Sequence, residues 1–324
     1  MEKHFIYWWN LENLFDVENS PARPEWLQSQ LKGELKNWTA QVLDKKLTNL
    51  TSIVSKFNNG AGPDIMGVCE VENENVVNLL KNRIGQEVGR NYETLHKDTK
   101  DKRGIDIAFI YDRAKYTTDG EIYSLEVMKR NATRDLVQAH LKTVNGGNEL
   151  VLVGNHWPAR SAGKFESEPY RIIVAETLAY WIERIHEKKG GDASVVLMGD
   201  FNDNPYDRSI TDYLLATNIR KKVSYARNKV VYNLMYPFLG QGIGTHVYGS
   251  EVNILDQFMV SKAIMSASNK YPFKVDSTRI IAYPEMVTGA YKKPVRFGRP
   301  SSKSSHNEKG FSDHLPIELV LAEK

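Results

Sequence analysis

The chain has 324 residues, 41% hydrophobic and 26% charged, a balance that excludes a disordered or fibrous protein and leaves room for one large domain or two ordinary ones. A formal net charge of +3 is compatible with an anionic substrate but too small to argue for nucleic acid by itself. No run approaches the ~20 apolar residues of a membrane-spanning helix, and the single cysteine, Cys69, excludes an intramolecular disulfide and reads as a buried, inert thiol.

From the N-terminus, the first apolar run is Phe5–Trp9, shorter than the ~7–15 residues of a signal-peptide core. As the sequence stands the expectation is cytoplasmic; removal of a leader would make it secreted or periplasmic. Short apolar runs predict buried strands at "FIYWWN", "DIMGVCEV", "DIAFIYD", "LVQAHLKTV", "ELVLVGNHW", "SVVLMGDF", "LDQFMVS" and "LPIELVLA". Between the first two, apolar residues from Val42 to Phe57 recur at helical spacing and predict a core-facing helix over 38–58. "ENVVNLLKNR" and "DRSITDYLLA" are shorter helical candidates. A longer helix is expected to start near Ser167–Pro169, because proline suits a first turn, and to continue through "YRIIVAETLAYWIERIHEK". Residues 290–310 read as an extended polar loop. No linker splits the chain, so a single domain over 1–324 is expected.

The strand ends carry the chemistry. "WWNLEN" closes with Asn10 and Glu12, "MGVCEVEN" with Glu70, and "VGNHW" with His156. "VLMGDFN" closes with Asp200 and Asn202, "LDQFMVS" opens on Asp256, and "SDHLPI" presents Asp313 and His314. Residues two apart on a strand share a face, so Asn10 with Glu12, and Asp200 with Asn202, are expected to reach one volume. Such a set suits attack of water on a phosphate ester assisted by a hard cation. Glu70 fits as the main metal ligand, with Glu12 and Asp313 nearby, because magnesium needs only one or two carboxylates beside water and substrate. Asp200 fits as the group that aligns and deprotonates water, Asn202 as a donor to a phosphoryl oxygen, and the two histidines as phosphate contacts and proton carriers. Taken singly, His156 is more often a satisfied histidine and Asp313 a turn cap; Glu70 in an apolar strand is harder to dismiss, since a buried lone carboxylate is costly.

The segments "WNLEN", "GVCEVEN", "RGIDIAFIYD", "NHWPAR", "GDFNDNP", "LDQFMVS" and "SDHLPI", in that order from Asn10 to Pro316, resemble the endonuclease/exonuclease/phosphatase superfamily with its deoxyribonuclease I-like fold, in a bacterial subgroup. The resemblance implies an α+β fold of four layers, two mixed β-sheets packed face to face with helices on both outer sides. It implies Asn10 and Glu70 at the metal, with Glu12 and Asp313 as further acidic contacts. His156 then faces the phosphate, Asp200 and Asn202 form the "GDFN" pair, and Asp256 supports His314. Asp106 is expected to orient His156 by accepting its second N–H. Arg103 and Arg160 are candidate substrate contacts, Arg160 with a surface arginine as the alternative, and Arg171 is expected to serve its helix. The implied cofactor is Mg2+, with Mn2+ or Ca2+ as alternatives.

The expected substrate is a phosphate ester, with a DNA or RNA backbone first and a small-molecule or lipid-headgroup phosphate as the alternative. Lys292, Lys293, Arg296, Arg299 and Lys303 precede Asp313 and would grip a nucleic-acid backbone, unless they simply form a solvated loop. Trp157, Tyr291 and Phe297 are candidate base-stacking residues. Nothing points to an obligate protein partner.

Overall fold

Along the first strand, Ile6 and Trp8 face one way and Tyr7 and Trp9 the other, and all four are fully buried. Side chains alternate faces along a strand, so this one must be covered on both sides. The computed structural model describes residues 1–99, 103–127, 135–161, 163–226, 230–266, 268, 270–298 and 306–324.

The longer strands, in chain order, are β1 (Glu2–Leu14), β2 (Ile65–Val71), β3 (Tyr92–His96), β4 (Asp106–Asp112) and β5 (Leu136–Thr143), followed by β6 (Glu149–His156), β7 (Val195–Asp200), β8 (Asp256–Val260), β9 (Phe273–Ile280) and β10 (Ile317–Glu323). A six-stranded sheet runs β9-β10-β1-β2-β4-β3, with β1 and β2 parallel and the other neighbours antiparallel. An eight-stranded sheet runs from the short strands Ala216–Thr217 and Val231–Asn233 through β8-β7-β6-β5 to Tyr116–Thr117, with Ile122–Leu125 also on β5. Within it β6 and β7 are parallel. Both sheets are therefore mixed.

Their inner faces share one core, in which Trp8, Cys69 and Phe109 of the first sheet meet Leu152, Met198 and Phe258 of the second. Tyr7, Trp9, Met66 and Val68 point outward beneath helices α1 (Ala40–Val54) and α2 (Glu74–Val88). Val151, Val153 and Leu197 point outward beneath α3 (Lys164–Lys189). Each large apolar side chain so buried stabilises the fold by about 1.5–3 kcal/mol. The four layers are the ones the family resemblance implies.

Local outcomes differ in instructive ways. Thr39 caps α1 by accepting from Val42 N, and Asn73 caps α2 in the same way from Val76 N. α3 starts ahead of Pro169, at Lys164, so the proline lies inside the helix rather than in its first turn; Ser167 and Arg171 tie the extra turn together through Gly163 O, Lys164 O and Ser167 Oγ. "DRSITDYLLA" forms only a π turn, Ser209–Tyr213. β3 and β9 lie at the sheet edges and are half polar, which hides them from an apolar-run search.

Candidate active site

Two bulges lift the acidic residues out of the first sheet. In β2, Ile65 and Cys69 face the inter-sheet core, and Met66 and Val68 face the helices. Strict alternation would place Glu70 beneath the helices and Val71 in the core. Instead Val71 lies on the helix side, and pairing with β4 shifts register between Cys69 and Val71. Glu70 is the extra residue, at φ 61°. A matching irregularity in β1 between Asn10 and Leu14 holds Glu12 at φ 53° and Asn13 at φ 57°. Asn202 adopts φ 51°. Left-handed backbone is uncommon outside glycine, and its concentration here marks a site whose surroundings enforce it.

The second sheet supplies the other half. His156 pairs with Asp200 across β6 and β7, and Asp200 pairs with Asp256 across β7 and β8, so these three residues lie in one row. Gly199 permits the approach of β6 to β7: a Cβ there would sit 2.4 Å from Asn155 O. His314 enters from the loop before β10.

The groups converge. His156 Nε2 lies 3.4 Å from Glu70 Oε1 and 3.7 Å from Asp200 Oδ2, and His314 Nε2 lies 3.9 Å from Asp200 Oδ2. Asn10 Nδ2 donates to Glu70 Oε1 at 3.3 Å and to Asp200 Oδ2 at 3.2 Å, joining the two halves. Asn202 donates to Asp200 through its backbone N at 2.9 Å and its amide at 3.2 Å. His314 donates from Nδ1 to Asp256 Oδ2 at 2.7 Å, while Trp8 Nε1 donates to Asp256 Oδ1 at 3.1 Å. Glu70, His156, Asp200, Asn202, Asp313 and His314 all line one cavity of about 530 Å³.

Charge is organised in the same way. Burial alone would lower the His314 pKa, but the Asp256 and Asp200 carboxylates reverse this and hold it well above 6.5, as an imidazolium. Asp313 is pushed up to about 7, first by burial and then by the negative charges of Glu12 and Glu70. Such crowding is what a divalent cation relieves. Glu70 and Asp313 offer only oxygen donors, so these residues fit a hard cation that retains several waters. Asp200, Asp256 and His314 also lie close enough to hold an ion, but the 2.7 Å contact commits His314 Nδ1 to Asp256.

Several of the expected residues have other partners in the structure. Both oxygens of Glu12 are taken, Oε1 by Arg296 Nε at 2.7 Å and Oε2 by the backbone N–H groups of Phe297 and Gly298 at 2.9 and 3.2 Å; it anchors the 290s loop rather than presenting a ligand. Buried Lys46 reinforces this anchor, donating to Glu12 O at 2.5 Å and lying over the Phe297 ring. Asp106 accepts from Thr99 N and Oγ1 and lies 3.6 Å from His96 Nε2, so its near neighbours are Thr99 and His96 rather than His156. Arg160 lines the cavity, but its guanidinium binds Asn202 O, Asn253 Oδ1, Asp203 and Asp207, bracing the loop after β7. Arg103 lies in the turn before β4 and is not among the residues that line the cavity. Trp157 and Phe297 are 1% and 0% exposed and pack as core. Arg171 pairs with Asp203 at 2.7 Å and holds the start of its helix. Arg299 and Lys303 lie outside the described residues.

Sequence reasoning missed one wall of the cavity, the hairpin of His246–Tyr248 and Glu251–Asn253. Its signal was available: Tyr248 pairs with Glu251 around a two-residue Gly249-Ser250 loop, a common hairpin turn. Lys164, at the start of α3, was missed as well.

Comparison with known proteins accords with this fold. By sequence, no curated protein matches the chain. Among solved structures, an endonuclease/exonuclease/phosphatase family protein from Bacteroides thetaiotaomicron superposes with a TM-score of 0.60 at 15% identity, covering 99% of this chain and 95% of that one. D. rerio TDP2 complexed with a single-strand DNA product gives 0.58 at 16%, covering 99% and 100%. The mannosyl-6-phosphatase Bt3783 from Bacteroides thetaiotaomicron VPI-5482 gives 0.56 at 15%, covering 98% and 99%. At these identities the likeness establishes the fold. A family profile described as Endonuclease/Exonuclease/phosphatase family matches residues 5–323, and the chain belongs to that family.

Proposed function

We propose that the protein is a metal-dependent hydrolase of phosphate esters. The observation that carries this reading is the convergence of Glu70 with His156, and of His156 and His314 with Asp200, at 3.4–3.9 Å from two separate sheets. Glu70 and Asp313 hold the cation, taken to be Mg2+, with Mn2+ or Ca2+ as alternatives. When bound, it neutralises phosphoryl oxygens and eases departure of the leaving oxygen. Asp200, fixed by three N–H donors from Asn10 and Asn202, accepts the proton of the attacking water. The His314 imidazolium, with its charge backed by Asp256, donates from Nε2 to a phosphoryl oxygen as negative charge builds there. His156 completes the polar cradle around the phosphate, while Asn202, whose amide donates to Trp157 O at 3.0 Å and to Asp200 Oδ2 at 3.2 Å, holds Asp200 in place.

The relatives include a TDP2 complexed with DNA and a mannosyl-6-phosphatase, so this fold serves esters of both kinds. A second reading, a polynucleotide substrate as for a nuclease, rests on exposed Lys292 and Lys293, which lie outside the cavity lining. The test is a panel of plasmid DNA, RNA, a chromogenic phosphodiester and monoester, inositol phosphates and sphingomyelin, each with added Mg2+ and with EDTA. Metal-dependent hydrolysis of at least one is expected; no turnover on any would reject the assignment.

A further inference from the structure

The hairpin wall has a chemistry the phosphate does not require. His246 forms a backbone bridge with His314, and the two rings lie 4.8 Å apart between centroids. The His246 ring lines the cavity, yet neither ring nitrogen makes a hydrogen bond among the described residues, and Nδ1 is buried. Burial, then the positive charges of His314, Arg296, Arg160 and Lys293, bring its pKa down to about 3. A neutral imidazole offers one donor and one acceptor, a pairing suited to a hydroxyl rather than to a phosphate oxygen.

The described cations around this wall are engaged in ion pairs. Asp203 and Asp207 hold Arg160 at 3.0 and 2.8 Å, Asp207 also holds Lys164 and Asp203 also holds buried Arg171, each at 2.7 Å, and Glu12 holds Arg296 at 2.7 Å. Lys293 is exposed and does not line the cavity. Exposed Glu251, which has no ion pair among the described residues, adds a carboxylate that accepts hydroxyls and repels a second anion. Tyr248, 77% exposed, adds a flat aromatic face with a hydroxyl at its edge.

We propose that this wall is the subsite for the alcohol portion of the ester, that it takes an uncharged, hydroxyl-bearing ring such as a sugar or cyclic polyol, and that His246 is its specificity-determining contact. The proposal rests on the phosphate-ester reading of the same cavity. Among the described residues, Arg160 and Lys164 of the lining are already held by carboxylates, whereas ring hydroxyls find His246 and Glu251.

The experiment measures binding by calorimetry to Mg2+-loaded protein in the Asp200→Asn background, using glucose 6-phosphate, hexyl phosphate and oligothymidylate. Glucose 6-phosphate is expected to bind about tenfold or more tighter than hexyl phosphate. That preference should fall to about threefold or less in His246→Phe, recover in part in His246→Asn, and fall in Glu251→Ala, whose exposed position leaves folding unaffected. Equal affinity for the two esters, tighter binding of oligothymidylate, or a preference untouched in both His246→Phe and Glu251→Ala would overturn the subsite. Turnover of p-nitrophenyl and bis(p-nitrophenyl) phosphate by the wild type is measured in parallel. Its absence would count against the catalytic reading alone, because the binding preferences are read without turnover.

Discussion

Asp200 and Asp256 face each other across the antiparallel ladder of β7 and β8, yet only Asp200 lines the cavity, while Asp256 is fully buried beneath His314. Two carboxylates in one row thus take different duties, set by what each touches. Asp256→Asn is expected to lower kcat by roughly 10²- to 10⁴-fold, as loss of an imidazole-orienting carboxylate does elsewhere. Steady-state kinetics on the best ester of the panel checks this; a near-normal kcat would remove Asp256 from the relay.

The same pair predicts a pH dependence of stability. His314 binds its proton more tightly in the folded chain than in the unfolded one, so its stabilisation is complete below about pH 6.5 and is lost as pH rises through its elevated folded value. In metal-free protein, Asp256→Asn should therefore be destabilised by about 3–5 kcal/mol at pH 6, and the deficit should shrink at alkaline pH. Denaturant titrations at pH 6, 8 and 10 read the trend. A deficit that grows with pH would contradict it.

Glu70→Gln should abolish metal-dependent turnover and weaken Mg2+ binding while leaving the circular dichroism spectrum and melting temperature near wild type, since the amide retains an acceptor for Asn13 N. EDTA should reproduce the kinetic defect in the wild type. Turnover near the wild-type level would show that the metal is held elsewhere.

Asp200→Asn is expected to reduce kcat by several orders of magnitude with little change in KM, because the amide cannot take a proton from water. A matching loss in substrate affinity would instead assign Asp200 a structural part.

Glu12→Ala should destabilise the protein by about 3–5 kcal/mol, because it strands Arg296 and the Phe297 and Gly298 N–H groups. Mg2+ affinity should stay within about tenfold of wild type. A collapse of metal affinity in a still-folded variant would restore Glu12 as a ligand.

What the sequence disclosed, and what it hid, follows from the range of the forces involved. The buried strands were legible because double-sided burial leaves uninterrupted apolar runs such as "SVVLMGDF", and the residues at their ends were legible because a polar group closing such a run has few structural reasons to be there. Partner choice was not. Glu12 and Glu70 have the same local signature, and only the register shifts in β1 and β2 send one to the 290s loop and the other into the cavity. Asp106 went to His96 for a similar reason: its strand lies beside β3, and His96 arrives from there. Arg160 is claimed by three side chains between Asp203 and Asn253, contacts that no local pattern announces.

Trp8 stands in the six-stranded sheet, but its indole N–H reaches Asp256 in the other sheet. The His314 imidazolium is therefore steadied through the middle of the molecule, and a slip of one sheet over the other would disturb it before any strand came apart. Enzymatic competence should consequently act as an early gauge of interior order: under gentle denaturant, turnover should fade, and the fluorescence of this indole shift, while backbone ellipticity is still intact.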